Sequence, residues 1–229
     1  MNMGNRGHGK RYRADTEKVP DQPQPVPEAI AILKQFNHTK FDQTVELAVW
    51  LGIDPKQSDQ QVRGSISLPH GIGKAKRVVA FCEDSQVELA REAGAIEAGG
   101  DELIRKIQDG WTDFDVTVAV PAMMRSVSRL GRILGPAGKM PSPKAGTVVD
   151  DIATAVREYA AGKIEFRNDD GGNVHVPVGK LSFEDKRLVE NIETMLARLR
   201  AMKPSSTKGT YMQKACISAT MTPAIGLLV

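Results

Sequence analysis

Apolar residues fall in two rhythms along this chain, and each rhythm has its own territory. From Phe41 to Ile53 they alternate with polar or small ones: Val45, Leu47, Val49 and Leu51 share one side, Glu46 and Ala48 the other. A period of two predicts a half-buried strand. "QVRGSISL" (61–68) alternates in the same way and stops at the proline and glycines of "PHGIGK". Ahead of both, "PEAIAILKQF" (27–36) predicts a helix, with proline in its first turn and Ile30, Leu33 and Lys34 at helical spacing.

From Lys76 the rhythm changes. "RVVAFCE" and "FDVTVAVP" are short continuous apolar runs, the pattern of strands buried on both faces. Between and after them lie helical patterns: "SQVELAREAG", "DELIRKIQDG", "AMMRSVSRLGRIL" and "VDDIATAVREYAAGK". Strands that alternate with helices predict βαβ units and a parallel sheet. Near residue 160 alternation returns. "GKIEFRND" and "NVHVPVGKL" predict two strands joined by the turn "DDGG", read as a hairpin. "SFEDKRLVENIETMLARLRAMK" predicts a long amphipathic helix with Leu188, Ile192, Met195, Leu196 and Leu199 inward and Ser182 as its N-cap. "TYMQKACISATM" closes the pattern as a last strand.

The predicted architecture is therefore an α+β host domain with a discontinuous antiparallel sheet, interrupted by an inserted α/β, Rossmann-like domain with a parallel sheet. The boundaries read as 27–69 and 160–229 for the host and 70–159 for the insert. Two neighbouring chain crossings form a natural hinge, with Gly71 and Gly73 on one side and Gly162 on the other. Residues 1–26, basic and then proline-rich, predict an arm without regular structure. Its cations suit either a solvated tail or contact with a phosphate backbone.

Composition narrows the function without choosing it. The 229 residues are 41% hydrophobic, enough for a core without disulfides or metal. The formal charge is +3, so a nucleic-acid surface must come from the placement of charge. Cys82 and Cys216 sit in strand-like runs and read as free thiols of a reducing compartment. The basic N-terminus lacks the apolar stretch of a secretory signal, and no run reaches the length of a membrane span. A cytoplasmic protein is the expectation.

Motifs for chemistry fail on spacing. "RILGPAGKMPSPKAGTV" (132–148) has a Gly-Lys pair, but Ile133 stands where a phosphate-binding loop needs glycine and Met140 where it needs a hydroxyl. No full dinucleotide fingerprint, metal-ligand spacing or nucleophile elbow occurs, so no catalytic residue, metal or cofactor is assigned. What remains is charge: Arg125, Arg129, Arg132, Lys139 and Lys144 with no acid among them. Such a loop either holds a phosphate or is stiff only to make a long crossing. Aromatics are 5% of the chain, with no paired stacking platform. A nucleic-acid partner would then be read as a folded shape. The rival reading is a nucleotide or phosphometabolite enzyme built on the parallel sheet.

The segments "FDQTVELAVWLGIDPKQSDQQVRGSISLPHGIGK", "RILGPAGKMPSPKAGTV", "GKIEFRND", "HVPVGKLSF" and "KGTYMQKACISATM", in this order, closely resemble the bacterial large-subunit ribosomal protein L-one family, over roughly residues 27–222. The resemblance implies a non-enzymatic constituent of the ribosomal stalk, monomeric within the ribosome. Its implied partners are large-subunit rRNA, the exit-site tRNA whose release it assists, and its own mRNA, which it represses. By motif position it implies RNA contacts at Lys40, Phe41, Thr44, Glu46, Arg167, Asp169, Ser218, Thr220 and Met221. Arg132, Lys139 and Lys144 become a secondary phosphate contact. The chain departs from the family pattern where Thr222 replaces a usual glycine, and where Ala137 and Ser142 stand for arginine and asparagine.

Overall fold

The computed structural model describes residues 9–37 and 39–229. The chain runs through α1 (Lys10–Thr16), α2 (Val26–Lys34), β1 (Thr44–Leu51), β2 (Arg63–Ile66), β3 (Val78–Phe81), α3 (Val87–Glu92) and β4 (Glu97–Gly99). It continues through α4 (Asp101–Gln108), β5 (Val116–Ala119), α5 (Met124–Val127), α6 (Gly131–Leu134), α7 (Ile152–Ala160) and β6 (Ile164–Arg167). The last elements are β7 (Asn173–Lys180), α8 (Asp185–Ala201), β8 (Met212–Ala219) and β9 (Ile225–Leu227). Two compact units result. One comprises residues 1–62, 68–73 and 166–229; the other comprises 63–67 and 74–165.

The first unit is built on an antiparallel sheet of order β7-β1-β8-β9. The alternation along β1 has the predicted consequence: Val45, Leu47, Val49 and Leu51 are buried, while Glu46 and Trp50 are exposed. α2 and α8 pack on each other and bury Ile30, Leu33, Leu188, Ile192, Met195 and Leu199. The opposite face of the sheet is left to solvent. Asn191, wholly buried on α8, donates to the carbonyls of Val178 (2.8 Å) and Gly71 (3.0 Å) and accepts from the His70 N–H (3.2 Å). These bonds remove the cost of a buried amide.

The second unit holds a parallel sheet of order β4-β3-β5. β3 and β5 are buried along their whole length, as continuous apolar runs require. Ala90, Ile152, Val156 and Tyr159, from α3 and α7, pack on one set of sheet residues. Leu103, Ile104, Val127, Leu130 and Leu134, from α4 to α6, pack on the other. β2 pairs with β6 in a separate two-stranded sheet.

Four local expectations change. Residues 10–16 form helix α1, where the sequence predicts an arm without regular structure. Asp15 explains it: the buried carboxylate accepts from the Asn37 N–H (3.0 Å) and side-chain amide (2.6 Å). The prolines that disfavour helix begin only at Pro20, and Gln24 then bridges to Leu227. Arg6, also assigned to the arm, lies outside the described residues. Second, β6 and β7 are not a hairpin ladder. A single bridge, Asn168 to Val174, links them, because β6 pairs with β2 and β7 with β1. Third, residues 122–134 form two single helical turns joined by 3-10 geometry rather than one helix. The Ser128 hydroxyl bonds back to the Arg125 carbonyl (2.7 Å) in competition with the helix. Fourth, Ser182 does not cap α8; its hydroxyl donates to Asp42 (2.8 Å).

Candidate nucleic-acid interface

The first unit gathers most of the implied contact residues at one corner of its open sheet face. β1 and β8 run antiparallel with Glu46 opposite Ser218. Where β1 begins, the Thr44 N–H donates to the Thr220 hydroxyl (3.2 Å), and the Thr220 N–H donates to the Thr44 carbonyl (3.0 Å). The Lys180 ammonium donates to the Thr44 hydroxyl (2.8 Å), and the buried Gln43 amide holds the Thr220 carbonyl (2.6 Å). Phe41 is 52% exposed and Met221 65% exposed, high values for such side chains. Lys40 is exposed three residues before the Gln43 anchor. The result is a compact set of hydroxyls, cations and two apolar side chains with no common buried role.

Met221 owes its exposure to its backbone. Its φ of 67° lies in the left-handed region, which costs a non-glycine residue about 1 kcal/mol or more. Thr222 holds the strained turn. Its N–H donates to the Ala219 carbonyl (2.9 Å), while its hydroxyl accepts from the Ala219 N–H (2.9 Å). The departure from the usual glycine therefore turns its hydroxyl back into the turn, where it fastens the loop that displays Thr220 and Met221.

Arg167 and Asp169 lie elsewhere. Asp169 sits in the turn before β7, where Asn173 pairs with Trp50. Trp50 is six residues from Thr44 along β1, about 20 Å at strand rise. Asp169 is engaged locally. Its carboxylate accepts from the N–H groups of Gly171 (2.9 Å) and Asn173 (2.7 Å) and from the Asn173 side chain (3.1 Å). The Asn173 backbone bond, then the Asn173 side-chain bond, hold its carboxyl below the usual carboxylate range. Arg167, exposed, ends β6 two residues away.

The cationic loop of the second unit is internally satisfied. The N–H groups of Gly135, Gly138, Lys139, Ala145, Gly146 and Thr147 all donate to carbonyls of residues 131–143. Such groups form no free anion-binding concavity. The Lys139 ammonium donates to the Thr112 carbonyl (3.1 Å) and lies 5.1 Å from the Phe114 ring centre. Thr147 ties the loop to Ser142. Arg132 and Lys144 are exposed but attached to this closed frame. Of the three glycines placed at the hinge, Gly162 (φ 106°) is explained as the residue that ends α7, its N–H donating to the Tyr159 carbonyl. Gly71 and Gly73 also have positive φ and lie just before the 73/74 unit boundary.

The crevice beyond the carboxyl ends of β3 and β4 is where an open α/β sheet binds its ligands. Here it carries Glu83, Asp84, Glu97, Asp101 and Glu102 against Arg91 and Lys106, a balance that repels phosphate. Burial pushes both thiols, Cys82 and Cys216, above the ordinary cysteine range, which makes neither a ready nucleophile. Among the described residues no cluster of three or more His, Cys, Asp or Glu suits a metal ion, and no helix is long and apolar enough to cross a membrane.

The resemblance pointed to Thr44, Thr220 and Met221 but not to Arg11, Gln43 and Lys180. Arg11 of α1 donates to the Met221 carbonyl (3.4 Å). Its signal was the basic run Lys10–Arg13; Gln43 and Lys180 carried none, since their roles depend on strand pairing. Relatives called large ribosomal subunit protein uL1 are 56% identical in Rhodopirellula baltica, over 94% of this chain and 96% of that one. They are 50% identical in Kosmotoga olearia (95% of each) and in Thermus thermophilus (95% of this chain, 96% of that one). Residues 33–223 match the Ribosomal protein L1p/L10e family, and the chain belongs to that family.

Proposed function

We propose that this protein is a structural, non-catalytic constituent of the large ribosomal subunit that grips a folded segment of rRNA with the Thr44–Thr220 corner of its antiparallel sheet. The observation that carries the reading is the interlocked pair itself. Thr44 and Thr220 fix each other, Glu46 stands opposite Ser218, and Phe41 and Met221 flank them in the open. Hydroxyls and a carboxylate suit ribose 2′-hydroxyls, exposed apolar atoms suit sugar faces, and Lys40, Lys180 and Arg11 suit phosphates. The test is equilibrium binding of the full chain to transcripts of large-subunit rRNA. Tight, salt-dependent binding to one segment, weakened at least tenfold by Phe41→Ala with Met221→Ala, is expected. Protection of no segment from nuclease would remove the reading.

The finer roles rest on family resemblance. In the proposed assembly, the parallel-sheet unit is an inserted, Rossmann-like domain that moves with the stalk, with Gly71 and Gly73 as hinge residues, and it assists release of deacylated exit-site tRNA. The same corner represses the chain's own mRNA where that message offers a similar fold. A reporter fused to the message leader should fall when the chain is over-expressed and stay constant with the Phe41→Ala, Met221→Ala variant. A reporter indifferent to both excludes repression. No feature of the acidic crevice favours the enzyme alternative.

A further inference from the structure

The two tryptophans are used differently. Trp111 is occupied: its ring centre lies 5.3 Å from that of Phe114, and the Lys106 ammonium lies 4.4 Å above it. Trp50 is 42% exposed on the open face of the antiparallel sheet. Its neighbours across the strands are Asn173 on β7 and Lys214 on β8. Beside it the sheet dips into a depression of about 430 Å³. Ala48, Cys216 and Gly226 line it, Leu228 and Pro23 add apolar wall, and Gln213 and Lys214 supply polar groups.

We propose that this depression receives one unpaired nucleobase of the bound RNA, stacked against Trp50, with its phosphate met by Lys214. The inference rests on the rRNA-binding reading above and extends it. Continuity selects the occupant. The residues implied in RNA contact occupy two ends of one sheet face, Thr44 with Thr220 at one end and Asp169 at the other. Asp169 is bonded to Asn173, the residue paired with Trp50. An RNA that reaches both ends passes Trp50, one wall of the depression. Lys214 adds a cation that suits a phosphodiester. The exposed indole face stacks any base, so this contact reads an unstacked nucleotide rather than a sequence. A small Gly226 opposite Cys216 keeps the floor open to a flat ring.

The experiment uses the full chain with Trp111→Phe, so that Trp50 alone fluoresces, and the large-subunit rRNA transcript that the unmutated chain protects from nuclease. Expected are quenching of Trp50 emission that saturates with binding, and affinity weakened roughly 5- to 100-fold by Trp50→Ala but little by Trp50→Phe. Unchanged emission together with unchanged affinity of Trp50→Ala overturns the proposal and leaves the Thr44–Thr220 reading standing. Failure of the unmutated chain to bind any transcript overturns that reading and this one together. Self-association of the RNA-free chain that Trp50→Ala abolishes assigns the depression to a second copy, and also overturns the proposal.

Discussion

The 132–148 loop and the Ala219–Thr222 turn are instructive opposites. The loop is long, cationic and conspicuous; the turn is four residues with no formal charge. Yet the loop's backbone donors close on its own carbonyls, and Lys139 is held by Thr112. The turn uses its internal bonds to push Thr220 and Met221 outward, one of them with a strained backbone. Charge and glycine content mark a segment as unusual. Whether its polar groups are already satisfied decides what it can offer a partner.

The largest expected effect breaks the turn's display. Phe41→Ala combined with Met221→Ala should weaken rRNA affinity on the order of 100-fold, because two exposed contacts of about 1–2 kcal/mol each are lost. Equilibrium titration at fixed salt measures it, and thermal stability should hardly move, since both side chains are exposed.

Next comes the fastener. Thr222→Val keeps the shape but leaves the Ala219 N–H without the hydroxyl. A loss of about 1 kcal/mol in stability is expected. Amide exchange at Ala219 should accelerate, and RNA affinity should fall about fivefold as Met221 leaves its strained geometry. Retained affinity with fast exchange would show that the turn needs no fastening.

Asp169 gives a smaller, pH-dependent effect. Its folded carboxyl titrates below its unfolded value of about 3.9, so the stabilisation is present above that pH and is lost as pH falls through the lowered folded value. Asp169→Ala should cost less than about 1 kcal/mol at neutral pH, given its exposure. The difference from the parent in thermal melts should shrink below about pH 4. Smallest of all, Arg132→Ala with Lys144→Ala should change rRNA affinity by less than about twofold. By contrast, Lys40→Ala should lower the salt slope by about one.

Much of this was legible in the sequence because periodicity is a direct record of burial. The β1 face, the α8 stripe and the change of rhythm near residue 76 were all written in spacing. The corner was legible only through resemblance, since Thr44 and Thr220 stand 176 positions apart and meet by strand pairing. Asp15 shows the opposite limit. One carboxylate oxygen, bonded twice to Asn37, anchors a helix where local composition predicts none. The hairpin expectation failed for a related reason, as each strand pairs with a distant segment, β6 with β2 and β7 with β1.

Amide hydrogen exchange of the full chain, free and bound to its rRNA transcript, sets the two regions against each other in one measurement. Residues 40–46 and 218–222 should become protected on binding while 132–148 stays unchanged. Protection concentrated on 132–148, with the sheet corner exchanging as in the free chain, would contradict the account.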